Sequence, residues 1–309
     1  MALDPGDRAR PARRTVNPAD VSRDEILVGY DGSADATVAL NWALDEASRS
    51  GRPVRLAYVF EWLTVVGWIG PGVAPGIWPD ETARRKVEEL VRKAAADAAA
   101  ERPGLTVHGE VFDGPPALVL QERSAEAGLL VLGSRGHGGF GGLLAGSTAV
   151  SVTAHAHCPV VVVRQGQAAP SGPVVVGVDG SESSLLALGF AVERAAQRDA
   201  PLRLLRAWAP PPSERWVDPG STPEETEAAE RAAAEESLAR WRKTFPNVPV
   251  ELQVTPGNPA ALLVEASRTA QLVVVGSRGR GGLRGMLLGS VSQQLIHHAS
   301  CPVAVVRER

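Results

Sequence analysis

Short runs of Val, Leu and Ile alternate along the chain with longer stretches in which apolar residues return every three to four positions. The short runs read as strands buried on both faces and the longer stretches as amphipathic helices. Strands are predicted near 26–30, 54–60, 105–112, 129–133 and 159–164, and again near 173–178, 202–208, 249–255, 271–276 and 302–307, with helices in the gaps. The longest helices, about 80–101 and 223–244, are rich in Ala, Glu and Arg, and Thr222, Pro223 and Glu225 spell a capping-box start for the second. Strict β-α alternation in two series predicts an α/β fold class, with parallel sheets covered by helices on both sides.

The two series are copies. Residues 131–164 and 274–307 share 19 identities in 34 ungapped positions, and the repeat extends upstream, where ILVGYDGS (26–33) answers VVVGVDGS (174–181). A period near 145 residues is domain-sized rather than solenoid-sized. Two homologous domains in tandem are therefore expected, at 25–165 and 173–309, joined by a short Gly/Ala/Pro/Ser linker at 166–172. Residues 1–24, poor in apolar side chains and mixed in charge, are expected to form a disordered leader.

Composition narrows the partners. The chain is 44% hydrophobic and 22% charged with a net charge of −3, so it lacks the basic surplus that recruits nucleic acid. Its apolar runs are too short to span a membrane and the N-terminus has no secretory apolar segment, so a cytoplasmic location is expected. Cys158 and Cys301, each directly before Pro at equivalent repeat positions, read as buried thiols.

Candidate chemistry concentrates at two motifs, each present twice. Gly133, Gly136, Gly146 and Ser147 form a Gly-x2-Gly-x9-Gly-Ser frame that recurs at Gly276, Gly279, Gly289 and Ser290. Lying between a strand and a helix start, such a loop offers backbone N–H groups and the positive end of a helix to an anion. Asp31 and Asp179 follow the first strand of each half, so if first and fourth strands are neighbours, carboxylate and loop face one crevice at the strands' carboxyl ends. The segment 136–141 also fits G-x-G-x-x-G, but it follows the wrong strand and no Asp or Glu occurs between Glu126 and Asp179, which argues against NAD. Neither loop contains the lysine of a Walker motif.

These motifs resemble the universal stress proteins in their tandem two-domain form: the V-G-x-D-G-S start, the G-S-R-G turn, the C-P-V strand and two intact glycine frames similar to the signature of the ATP-binding branch. The resemblance covers about residues 25–308. It implies two Rossmann-like domains, each a five-stranded parallel sheet in the order 3-2-1-4-5, with ATP or another adenine nucleotide, Mg²⁺ being left open, in the crevice of each. It also implies that Asp31 and Asp179 accept hydrogen bonds from the nucleoside, that Val59 and Ala207 contact adenine through their backbone, and that Leu132 and Val275 touch base or ribose. Gly133, Gly136, Gly146, Ser147 and Thr148, and likewise Gly276, Gly279, Gly289, Ser290 and Val291, would hold phosphates. Pairing of the two domains within the chain is expected, with a homodimer as a further possibility. In that reading nucleotide occupancy regulates conformation or partner binding in a stress response.

Several features stand outside this core. Arg135 and Arg278 could neutralise phosphate, or simply be solvated. His155, His157, His297 and His298 lack four-ligand spacing, and at helix ends they favour the dipole, so no metal is expected. No shared nucleophile, base and orienter is legible. An ATP hydrolase would need His137, Asp31 or Asp179 as base, and a structural protein with empty sites is the remaining alternative. Trp62, Trp68 and Trp78 in the loop 61–79 suggest either a partner surface, a nucleotide cover or self-packing.

Overall fold

The computed structural model describes residues 24–61, 81–136, 145–166, 171–208, 222–281 and 287–308. Nearly all of the expected leader, the Trp-rich loop beyond Glu61, most of the linker, His137 and the middles of both glycine loops lie outside these residues.

Each half repeats one series. The first runs β1 (Ile26–Gly29), α1 (Ala34–Ser50), β2 (Val54–Phe60), α2 (Glu81–Glu101), β3 (Val107–Asp113), α3 (Pro116–Arg123), β4 (Leu129–Gly133), α4 (Ser147–His155) and β5 (Val160–Val163). The second runs β6 (Val174–Gly177), α5 (Glu182–Gln197), β7 (Leu202–Trp208), α6 (Pro223–Thr244), β8 (Val250–Pro256), α7 (Pro259–Ala266), β9 (Leu272–Gly276), α8 (Ser290–His298) and β10 (Val303–Val306). Every predicted strand is present to within two residues at each end. The Thr222 hydroxyl accepts from the Glu225 amide while the Glu225 carboxylate accepts from the Thr222 amide, closing the expected capping box of α6.

Both halves have the doubly wound order 3-2-1-4-5, but they do not form separate sheets. Their last strands pair antiparallel, Val303 opposite Val162 and Val305 opposite Val160, so one ten-stranded sheet runs β3-β2-β1-β4-β5-β10-β9-β6-β7-β8. Alone, each apolar four-residue strand would be an open sheet edge, a template for unwanted pairing. Their union leaves β3 and β8 as the edges, and these carry exposed charge such as Glu110 and Glu251. Alternate strand residues feed two cores, one on each face: Ile26, Val28, Val174 and Val176 face the layer containing α1, α2, α5 and α6, while Leu27 and Val175 face that of α3, α4, α7 and α8. Cys158 and Cys301 are not joined by a disulfide and are buried in the second core, and burial pushes the Cys301 thiol up to about 12, so it stays protonated and inert at neutral pH.

Polar contacts tie the halves as well. Arg164, just after β5, donates to the carbonyls of Ile296 and His297 at the end of α8, and Arg307, just after β10, donates to those of Ala154 and Ala156 at the end of α4. Each half thus caps a helix C-terminus of the other with a guanidinium, which also suits the helix dipole. On the opposite face Glu46 of α1 sits 2.9 Å from Arg194 Nη1 and 2.7 Å from Arg198 Nη1, with all three side chains at most 4% exposed.

Candidate anion-binding clefts at the glycine loops

Parallel pairing in register sets Gly29 opposite Leu132, so the chain leaving β1 reaches the same height as the loop leaving β4. There Asp31 lies against Gly136: a Cβ on Gly136 would stand 2.6 Å from Asp31 Oδ2, and in the second half one on Gly279 would stand 2.5 Å from Asp179 Oδ2. The second glycine of each frame therefore accommodates the carboxylate.

The ends of each glycine loop are pinned at one buried serine. The Ser134 amide donates to Val163 of β5 and its carbonyl accepts from Gly146; Ser277 repeats this with Val306 and Gly289, each bond at 2.7 Å. Gly146 and Gly289 are the N-caps of α4 and α8, and neither supplies a side-chain cap. The first amides of both helices thus point toward the cleft with no side chain of the cap residue to satisfy them. That is an arrangement suited to an anion.

Each loop, helix start and carboxylate border one cleft, of about 330 Å³ in the first half and about 350 Å³ in the second. The first brings together Asp31, Val59, Leu132, Gly133, Gly136, Gly146, Ser147 and Thr148; the second brings together Asp179, Ala207, Val275, Gly276, Gly279, Gly289, Ser290 and Val291. All sixteen residues singled out in the sequence thus line a cleft. Arg135 and Arg278 border them too. The four histidines of the helix ends do not line either cleft, and among the described residues no three His, Cys, Asp or Glu side chains are grouped to hold a metal ion.

Other lining residues escaped the sequence reading. Leu120 and Pro116 of α3 wall the first cleft and Leu263 and Pro259 of α7 the second, and Tyr30 and Glu61 border the first alone. Leu120 and Leu263 read as ordinary core positions in sequence; only the packing of α3 and α7 across β1 and β6 turns them inward. Buried Asp35 is a further omission. Its carboxylate accepts from the Ser134 hydroxyl at 2.7 Å and the Arg135 amide at 3.1 Å. The signal was available, since the repeat aligns Asp35 with Ser183.

Asp179 is also a structural clamp. Its Oδ1 accepts from the Ser181 amide (2.9 Å) and hydroxyl (2.6 Å), and its Oδ2 from the Arg280 amide (2.9 Å), joining the turn after β6 to the glycine loop. Burial raises its pKa, but these hydrogen bonds outweigh it and hold the group below the ordinary carboxylate range. A depressed folded pKa stabilises the native state above the unfolded value of 3.8, and the contribution disappears as pH falls through the lower folded value. The stability difference between the native chain and Asp179→Asn should therefore be constant from about pH 8 to 5 and shrink below about pH 4. Urea midpoints across that range test this; a difference that persists undiminished to pH 2.5 would rule it out.

Comparison with known proteins matches the family described as Universal stress protein family to residues 22–164 and again to 171–307. A universal stress protein of Mycolicibacterium smegmatis is 40% identical over 294 residues, covering 92% of this chain and 97% of its own. One from Mycobacterium tuberculosis is 36% identical over 289 residues, covering 92% and 96%. The crystal structure of a universal stress protein from Archaeoglobus fulgidus superposes with a TM-score of 0.68 over 93% of this chain and 97% of that one; at 21% identity it shows the shared fold.

Proposed function

The chain belongs to the universal stress protein family, and we propose that each half binds one adenine nucleotide, ATP or a close relative, whose occupancy regulates conformation or partner binding rather than feeding catalysis. One observation carries this reading: in both halves a helix N-terminus capped only by glycine opens into a cleft bordered by a carboxylate from the neighbouring strand. The helix starts supply donors for phosphate, and the carboxylates supply acceptors for ribose hydroxyls. Apolar positions Val59, Leu132, Ala207 and Val275 give a flat base something to lie on. Mg²⁺ bound with the phosphates, a cytoplasmic location and assembly of two chains belong to the same proposal. Among the described residues no helix is long and apolar enough to cross a membrane.

The test is stoichiometry. Denaturing freshly purified chain and separating the released small molecules should yield about two adenine nucleotides per chain, or calorimetry of emptied chain should show two sites for ATP. Gly136→Val drives a branched side chain into Asp31 and should remove the first site; Gly279→Val should remove the second. A chain that carries no nucleotide and has no affinity for ATP would overturn the proposal.

A further inference from the structure

The two clefts differ in charge where their sequences diverge. The first is bordered by Asp31 and Glu61, and buried Asp35 lies directly beneath its loop, against the single guanidinium of Arg135. In the second, Asp179 faces both Arg278 and Arg280, and Ser183 stands where the repeat places Asp35. Among the described residues, three carboxylates and one guanidinium thus confront one carboxylate and two guanidiniums.

Asp35 contributes more than its own charge. Its carboxylate is 3.6 Å from Arg135 Nε and accepts the Arg135 amide, so it engages both the side chain and a backbone donor of the loop that faces the cleft. Ser183 does the reverse. Its hydroxyl donates to the Arg278 carbonyl, and among the described residues no carboxylate lies within ion-pair distance of Arg278. A neutral donor has replaced an acceptor bearing full charge. Among the described residues the neighbouring arginines leave the contrast in place, because Arg164 beside the first loop is matched by Arg307 beside the second, each turned to a helix end of the opposite half.

We propose that the Asp35/Ser183 exchange makes the clefts unequal, the second taking the highly charged nucleoside triphosphate and the first discriminating against it in favour of monophosphate. This rests on the nucleotide reading above and adds a specificity-determining residue to it. The selectivity is electrostatic: each added phosphate charge is repelled by Asp35 and attracted by the guanidiniums of Arg278 and Arg280 at the second cleft.

Calorimetry of the emptied full chain with ATP and with AMP, in EDTA at low salt so that no divalent cation offsets phosphate charge, separates the outcomes. AMP should fill two sites within about threefold of each other, whereas ATP should show two sites differing by about tenfold or more, a gap that narrows as salt is raised. Gly279→Val should leave the weaker ATP site and Gly136→Val the stronger. Asp35→Ser should bring the weak ATP site to within about threefold of the strong one without tightening AMP to the same degree. A merely structural role for Asp35 would instead weaken both ligands together. Asp35→Asn, which keeps the shape and removes the charge, gives the same readout should Asp35→Ser fail to fold. Equal ATP sites in the native chain, or a gap untouched by both Asp35 variants, would overturn the proposal. Absence of both AMP and ATP binding would instead overturn the nucleotide reading on which it stands.

Discussion

Glu46→Ala should lower the unfolding free energy by about 3–5 kcal/mol, because it strands two guanidiniums in a buried site. Glu46 is the carboxylate shared by Arg194 and Arg198, with all three side chains almost fully excluded from water. Burial already lowers the pKa of both guanidiniums, and the Coulombic attraction of Glu46 opposes that fall. Arg194 and Arg198 also stack over Phe190 and Trp42 at 4.5 and 5.4 Å, so they cannot swing to solvent without losing packing. Glu46 lies on α1 and the arginines at and just beyond the end of α5, so the loss falls on the joint between halves. Urea unfolding should show the midpoint of Glu46→Ala well below that of the native chain. Replacing all three groups together by Leu and Met should recover most of the loss, since an apolar cluster of similar volume has no charge to desolvate. A Glu46→Ala cost under about 1 kcal/mol would show that the site is wetter than its geometry implies.

Gly133→Ala and Gly276→Ala form the second large effect, and for a reason the motif alone conceals. A Cβ at Gly133 would sit 2.7 Å from the carbonyl carbon of Asp35 and 2.8 Å from the Ala36 amide; at Gly276 it would meet the Ser183 hydroxyl at 2.6 Å and the Ser184 amide at 2.9 Å. Those atoms are mostly backbone at the start of α1 and α5 and cannot yield as a flexible side chain would. Overpacking of this kind costs about 1–3 kcal/mol and forces the strand end and helix start apart. Each variant should therefore lose stability and, at the same time, nucleotide binding in its own half, because the displaced element carries the glycine loop. Thermal unfolding read beside calorimetry checks both. Loss of binding at full stability would return the first glycine to a purely ligand-facing role.

Repetition made much of this molecule legible. Parallel strands buried on both faces appear as unbroken Val and Leu runs, so β1, β4, β6 and β9 could be bounded from sequence nearly to the residue. Turn and cap chemistry is equally local: Asp-Gly-Ser and the Thr222/Glu225 box depend on neighbours a few positions away. The clefts were legible because the ligand-facing groups of such a fold sit at strand ends, where local motifs are aligned by parallel pairing. Pairs of opposing function were harder to see. Asp31 and Asp179 were expected to serve a ligand, and each also braces its own turn, with Asp179 tying that turn to the glycine loop; Gly133 and Gly276 were expected to admit an anion, and they admit a helix start.

The sequence by itself determined two homologous α/β halves, the placement of every strand, and the paired carboxylates and glycine frames that gather around the two clefts, since each depends on contacts within a few residues or on a fixed parallel register; the remaining cleft positions, such as Val59 and Ala207, followed only from the family resemblance. Tertiary structure alone decided that β5 and β10 fuse the halves into one sheet, that Glu46 finds its partners at the C-terminal end of α5, and that Arg164 and Arg307 cross to cap each other's helices. Those contacts join residues more than a hundred positions apart. No local spacing encodes them, because they arise only when two apolar edges, each costly in water, are covered by one another.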